Sequence, residues 1–201
     1  MLFSIIRFII LIIVSAFTIL KIKTSKVIKK RLFSLFLIVI YVVALSISAM
    51  FPVENLFIAF KSPESLFNYA NTGKIDNIIS GKDSCMVIYS RGNSSGGYYV
   101  IPKIKNRYKI PNYFTTKKVS DKFDESGIFK VYNVKGTQDY YVFGILHFED
   151  GENQILILNE KNEEVKSDII RVKNTNFVYF YLEEFSNGYH ILINNKKISL
   201  S

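Results

Sequence analysis

The residue types able to do chemistry are sparse in this 201-residue chain: two histidines, one cysteine and a few acidic clusters. His147 and His190 each lie in an apolar strand-like run, and Cys85 has no second thiol to join them. That spacing does not make a metal site, so neither metal nor cofactor is expected. A single cysteine also excludes an intramolecular disulfide, and its setting, Cys-Met-Val-Ile-Tyr89, reads as a buried small hydrophobe. Glu149-Asp-Gly-Glu152 gathers carboxylates on a turn but lacks the alternating ligand spacing of a calcium loop. Asn93-Ser-Ser-Gly-Gly97 has the composition of a phosphate-cradling loop without its Lys-Ser/Thr ending and following helix, and reads as a mobile turn. Glu163-Glu164 and Glu183-Glu184 are adjacent residues. On a strand such neighbours point to opposite faces, so neither pair makes a facing acid and base, and both read as solvated charge. No nucleophile-elbow pattern is present, and no catalytic residue is assigned.

Cations offer one surface. Lys103-Ile-Lys-Asn-Arg-Tyr-Lys109 alternates basic with other residues, which predicts a strand whose Lys103, Lys105, Arg107 and Lys109 form a face able to meet an anionic surface. A solvated edge strand protected by its lysines is the plainer reading. Twelve of the thirteen tyrosines lie beyond Phe51, where they suit a ligand groove or simply strand packing.

These residues fall in a segment that reads as mainly antiparallel β structure from residue 75 to 201. Short runs rich in Val, Ile, Tyr and Phe alternate with Gly, Asn and Asp turns. Predicted strands are 75–80, 84–90, 97–102, 127–134, 139–148, 153–159, 164–170, 176–184, 189–194 and 197–200, with residues 103–123 the least regular part. Asn187-Gly188, Asp150-Gly151 and Asn194-Asn195 supply turn chemistry for a meander, and Asn187-Gly188 predicts a hairpin between 176–184 and 189–194. Ahead of it, residues 52–74 read as a linker and a short helix. Ser62 can cap that helix, Pro63 suits its first position, Glu64 favours its positive end, and Gly73 can stop it.

The first 51 residues carry two long apolar runs, 1–20 and 32–51, around a basic connection, 21–31. Runs of about 20 residues match a hydrocarbon core of roughly 30 Å, which predicts a transmembrane α-helical hairpin. Of the 26 Lys and Arg, seven lie in this segment with no acidic residue, leaving 19 against all 17 carboxylates in the rest. The net charge of +9 is therefore a topology signal, and nucleic acid is not an expected partner. Lys21, Lys23, Lys26, Lys29, Lys30 and Arg31 predict a cytoplasmic connection, hence a two-span cell-membrane protein with both termini and the β domain extracytoplasmic. Arg7 reads as a snorkelling cation, and Ala44 with Ser48 as a small-residue contact on the second span. A signal processed after Ser48 is the competitor.

Phe51-Pro-Val-Glu-Asn-Leu-Phe57, followed by Phe60-Lys-Ser-Pro-Glu-Ser-Leu-Phe67 and Tyr69, resembles a stretch of small, uncharacterised two-helix membrane proteins of low-GC Gram-positive bacteria. High Ile, Lys, Asn, Phe and Tyr content without Trp agrees with an AT-rich genome. The resemblance carries no active site. The combined expectation is a non-catalytic, membrane-anchored binding protein with the lipid bilayer and a protein or cell-envelope component as partners. The alternative is an accessory subunit of a membrane transport or signalling complex.

Overall fold

The computed structural model describes residues 12–20, 33, 35–43, 52–92, 94–147, 155–165, 167–171, 176–194 and 196–201. Residues 12–20 (α1) and 35–43 (α2) are helical. The Ser15 hydroxyl lies 3.1 Å from the Tyr41 hydroxyl, tying the two segments together. Among the described residues no helix is long and apolar enough to cross a membrane. At a rise of 1.5 Å per residue, either described segment spans only about 13 Å, under half of a hydrocarbon core of about 30 Å. This corrects the transmembrane hairpin of the expected fold, the membrane assignment and the two-span location with both termini extracytoplasmic. The apolar runs are long enough in sequence, but neither described helical segment is. Arg7, Ala44, Ser48 and all six cations from Lys21 to Arg31 lie outside the described residues.

The β-rich expectation for the remainder holds, and every strand pair is antiparallel. A 3₁₀ turn, Val53–Leu56, precedes the helix Pro63–Ala70 (α3), which starts as its sequence dictates: Ser62 accepts from the Ser65 N–H at 3.2 Å, and Pro63 occupies the first turn. Asn71 rather than Gly73 ends it.

Three sheets follow among the described residues. The first contains β1 (Lys74–Ser80), β2 (Ser84–Arg91), β3 (Ser94–Ile104) and β4 (Arg107–Tyr108) in sequence order. The central sheet takes β5 (Thr116–Asp124), β6 (Gly127–Val134), β7 (Tyr140–Leu146), β10 (Phe177–Leu182) and β9 (Ile170–Arg171), in that spatial order. The third orders β12 (Lys196–Ser199), β11 (His190–Ile193) and β8 (Ile155–Leu158).

Side-chain alternation explains the stacking. In β10, Val178, Phe180 and Leu182 enter one core with Ile157, Ile191 and Ile198 of the third sheet, while Tyr179, with Phe177 and Tyr181 packed beside it, enters another with Met86, Ile88 and Val100 of the first. The central sheet is thus covered on both faces, which is why β7 and β10 read as nearly continuous apolar runs. The outer face of the first sheet, through Cys85, Val87 and Ile101, packs on Leu66 and Phe67 of α3. The layers run helix, sheet, sheet, sheet.

Several predicted elements are corrected. Residues 103–123, expected to be irregular, contain β4 and the nine-residue β5. β5 is an edge strand whose side chains are mostly solvated, so it lacks the apolar alternation that marks a buried strand. Among the described residues of 164–170, strand pairing is limited to a bridge from Glu164 to Leu158 and the first residue of β9. Asn187-Gly188 turns the chain, with Tyr189 N–H reaching Ser186 O at 3.5 Å, but forms no hairpin. β10 pairs with β7 and β9, whereas β11 pairs with β8 and β12, so the turn carries the chain from the central sheet to the third. Leu182 and Tyr189, at either end of this crossing, are buried in the same core, and that burial decides the route.

Candidate functional site

The predicted cationic face does not form. Lys105 and Asn106 both have positive φ, 50° and 60°, and reverse the chain between β3 and β4. Lys103 pairs with Tyr108 and Ile104 with Arg107, so Lys103 and Arg107 lie on opposite faces of a tight hairpin. Lys109 turns away to donate from Nζ to Asn55 O at 2.6 Å and Ile58 O at 3.3 Å. The Glu149 to Glu152 cluster and Asn93 lie outside the described residues. His147 Nδ1 lies 3.2 Å from Glu125 O, and no group of three potential metal ligands exists among the described residues. Cys85 is buried, and desolvation first, then the Glu64 charge, pushes its thiol up to about 12, so it is inert as expected.

A different site is present where one edge of each sheet converges. The C-terminal half of β1, β8, residues 164–165 and 167–170 and the end of β10 enclose an open groove of about 1700 Å³. Half-buried Ile155 and Ile169 give it apolar surface. Exposed Glu164, Asp168, Glu183 and Glu184 line it with carboxylates, against exposed Lys82.

One wall is built on Asp139. This residue is 1% exposed and immediately precedes β7. Its Oδ1 accepts from the Lys82 N–H at 3.1 Å and the Tyr181 hydroxyl at 2.8 Å, and its Oδ2 from the Asp83 N–H at 2.8 Å and the Ser84 hydroxyl at 2.5 Å. The Tyr141 hydroxyl lies 3.0 Å from Ser84 Oγ. The two successive N–H groups of the β1–β2 turn thus form an anion-binding nest filled by the chain's own carboxylate. The turn approaches so closely that a Cβ on Gly81 would sit 2.7 Å from the Tyr141 hydroxyl and 2.8 Å from Asp139 Oδ2. Burial, then the bond to Asp139, pushes the Tyr181 hydroxyl up to about 12, and burial pushes Tyr141 upward as well.

Chemically this cluster is a clamp. Each Asp139 oxygen already receives two hydrogen bonds, Ser84 is 2% exposed, and neither histidine lines the groove. It holds the first sheet against the central one and fixes the position of the β1 edge.

Sequence reasoning missed this site because its parts come from four separate segments. Glu164, Glu183 and Glu184 were visible as carboxylates, but their convergence depends on the crossing from β10 to β11. Asp139 gave no local signal, since its partners lie 42 to 57 residues away. No protein-family model, curated protein or solved structure matches this chain.

Proposed function

We propose that the three-sheet body is a non-catalytic binding module whose ligand lies in the groove between β1, β8 and residues 164–165 and 167–170. The observation that carries this reading is the convergence of three sheet edges on one open, partly apolar cleft with a rigid wall. Concave clefts that combine apolar and placed polar groups are where ligands are held. The Asp139 clamp supports binding rather than turnover, because its hydroxyls and carboxylate are committed to one another.

The test is site-specific photocrosslinking of the full chain in its native cells. A benzoylphenylalanine at Ser80 or Asp168, both in the groove, is expected to capture a discrete species that the same group at Lys122 on β5 does not. Capture from Lys122 alone, or from no position, would overturn the assignment of the groove.

A further inference from the structure

We infer that the groove's occupant is an extended, Lys- or Arg-bearing segment of a partner protein that adds as a strand to the free edge of β1. The inference rests on the reading of the groove as a binding site and specifies what fills it.

The β1 edge is open in a way the other edges are not. Gly81 donates to Ser84 O across the turn, so antiparallel alternation directs the N–H and C=O of Ser80 and Ile78 away from β2 and into the groove. The Ile78 N–H is taken by the Asn77 side chain at 2.7 Å. Ile78 C=O and both Ser80 groups have no partner among the described residues.

Elsewhere the described edges are charged, short or covered. β5 carries Lys117, Lys118 and Lys122, β12 carries Lys196 and Lys197, β4 is two residues long and covered by the Phe60–Tyr108 bridge, β9 is two residues long, and uncharged β8 is covered by the Leu158–Glu164 bridge and the Val165 N–H to Ile157 O at 2.8 Å. β1 is guarded only in its first half, by Lys74 and by the irregularity between Ile75 and Asn77. From Asn77 to Ser80 it carries no charge at all, and this is the part that faces the groove.

Backbone pairing selects a peptide, and charge selects which peptide. An added strand alternates its side chains between two directions. The groove offers apolar Ile155 and Ile169 and exposed carboxylates at Glu164, Asp168, Glu183 and Glu184, against Lys82. An acidic segment meets repulsion there, whereas alternating cations are complementary.

Fluorescence anisotropy of the full chain with a labelled decapeptide of alternating Thr and Lys tests this at about 50 mM salt, with a rise to about 300 mM to expose screening. Saturable binding is expected, weakening at least tenfold at the higher salt. A decapeptide of alternating Thr and Glu should not bind. Alternate backbone N-methylation of the Lys peptide should weaken it at least tenfold, because the methylated amides cannot pair with β1. Glu183→Gln combined with Glu184→Gln should weaken it several-fold. Ser80→Pro, which removes an outward N–H without touching a bond to β2, should abolish it, and N-methylation carries the same question if that variant fails to fold. Equal binding of the N-methylated peptide, or of the Glu peptide, overturns the inference. No binding of the Lys peptide, with crosslinking from Ser80 and Asp168 intact, overturns strand addition and leaves the groove standing. Loss of that crosslinking removes the groove itself.

Discussion

Replacing Asp139 with Asn keeps the shape of the clamp and removes its charge, at a cost set by the geometry of its donors. Both carboxylate oxygens face a backbone N–H, Lys82 on Oδ1 and Asp83 on Oδ2, and neither N–H can rotate away. An amide presents one oxygen and one NH₂. Whichever way it is flipped, its NH₂ opposes one of those donors, which loses its partner at a cost of about 1–3 kcal/mol. The bonds that survive fall from charge-assisted strength, about 1.5–3 kcal/mol each, to about 1 kcal/mol. The Ser84 and Tyr181 hydroxyls can rotate to recover part of this, and a neutral amide avoids the desolvation of a buried charge. The net expectation for Asp139→Asn is a loss of about 2–3 kcal/mol. With a urea slope of about 2 kcal/mol/M for a chain of this size, the midpoint falls by about 1–1.5 M. Urea unfolding of the full chain followed by tyrosine fluorescence, with circular dichroism as a second probe, measures it; there is no Trp to interfere. A midpoint within about 0.3 M of the wild type would refute the clamp.

Gly188→Ala tests the crossing between sheets: Gly188 has φ +124°, and an added Cβ would lie 2.7 Å from Glu160 Cβ and 3.2 Å from its Cα. A loss of about 1–3 kcal/mol is expected in the same assay, and an unchanged midpoint would show that the crossing takes another path. Alkaline titration tests the layered core. Burial pushes the hydroxyls of Tyr99, Tyr179, Tyr181 and Tyr189 up to about 12, and raises those of Tyr98 and Tyr141 too. An unfolded tyrosine titrates near about 10, so between about pH 10 and 12 the unfolded chain binds fewer protons than the folded one. Stability is then untouched by these groups below about pH 9 and falls as pH rises through that window. Buried Cys85, raised from 9.0 to about 12, acts with the same sign from about pH 9. Tyrosinate absorbance from these residues should appear together with loss of the β spectrum. Full ionisation near pH ~10 with the spectrum intact would contradict their burial.

How much was legible varies element by element. β6 occupies 127–134 as predicted, because Gly127, Phe129 and Val131 are buried at every second position and their neighbours only partly, an alternation visible locally. The α3 cap was legible because Ser62 and the Ser65 N–H it accepts from are three residues apart. β5 was not, since an edge strand with solvated side chains carries no hydrophobic period. The hairpin at Lys105 and Asn106 was masked by an alternating pattern that also suits a continuous strand.

By itself the sequence determined that residues 75 onward form antiparallel β structure without a disulfide, where most strands lie, and that Cys85 is buried. Alternation, turn chemistry and cysteine count are properties of a few neighbouring residues, so no tertiary knowledge is needed to see them. The tertiary structure alone decided the extent of the described helices, the insertion of β10 beside β7, the passage through Asn187-Gly188 into a third sheet, and the groove with its Asp139 wall. Strand partners are selected by which faces can share a core, and a buried carboxylate by donors more than forty residues away. Those choices are made by burial across the whole fold, and no local window contains them.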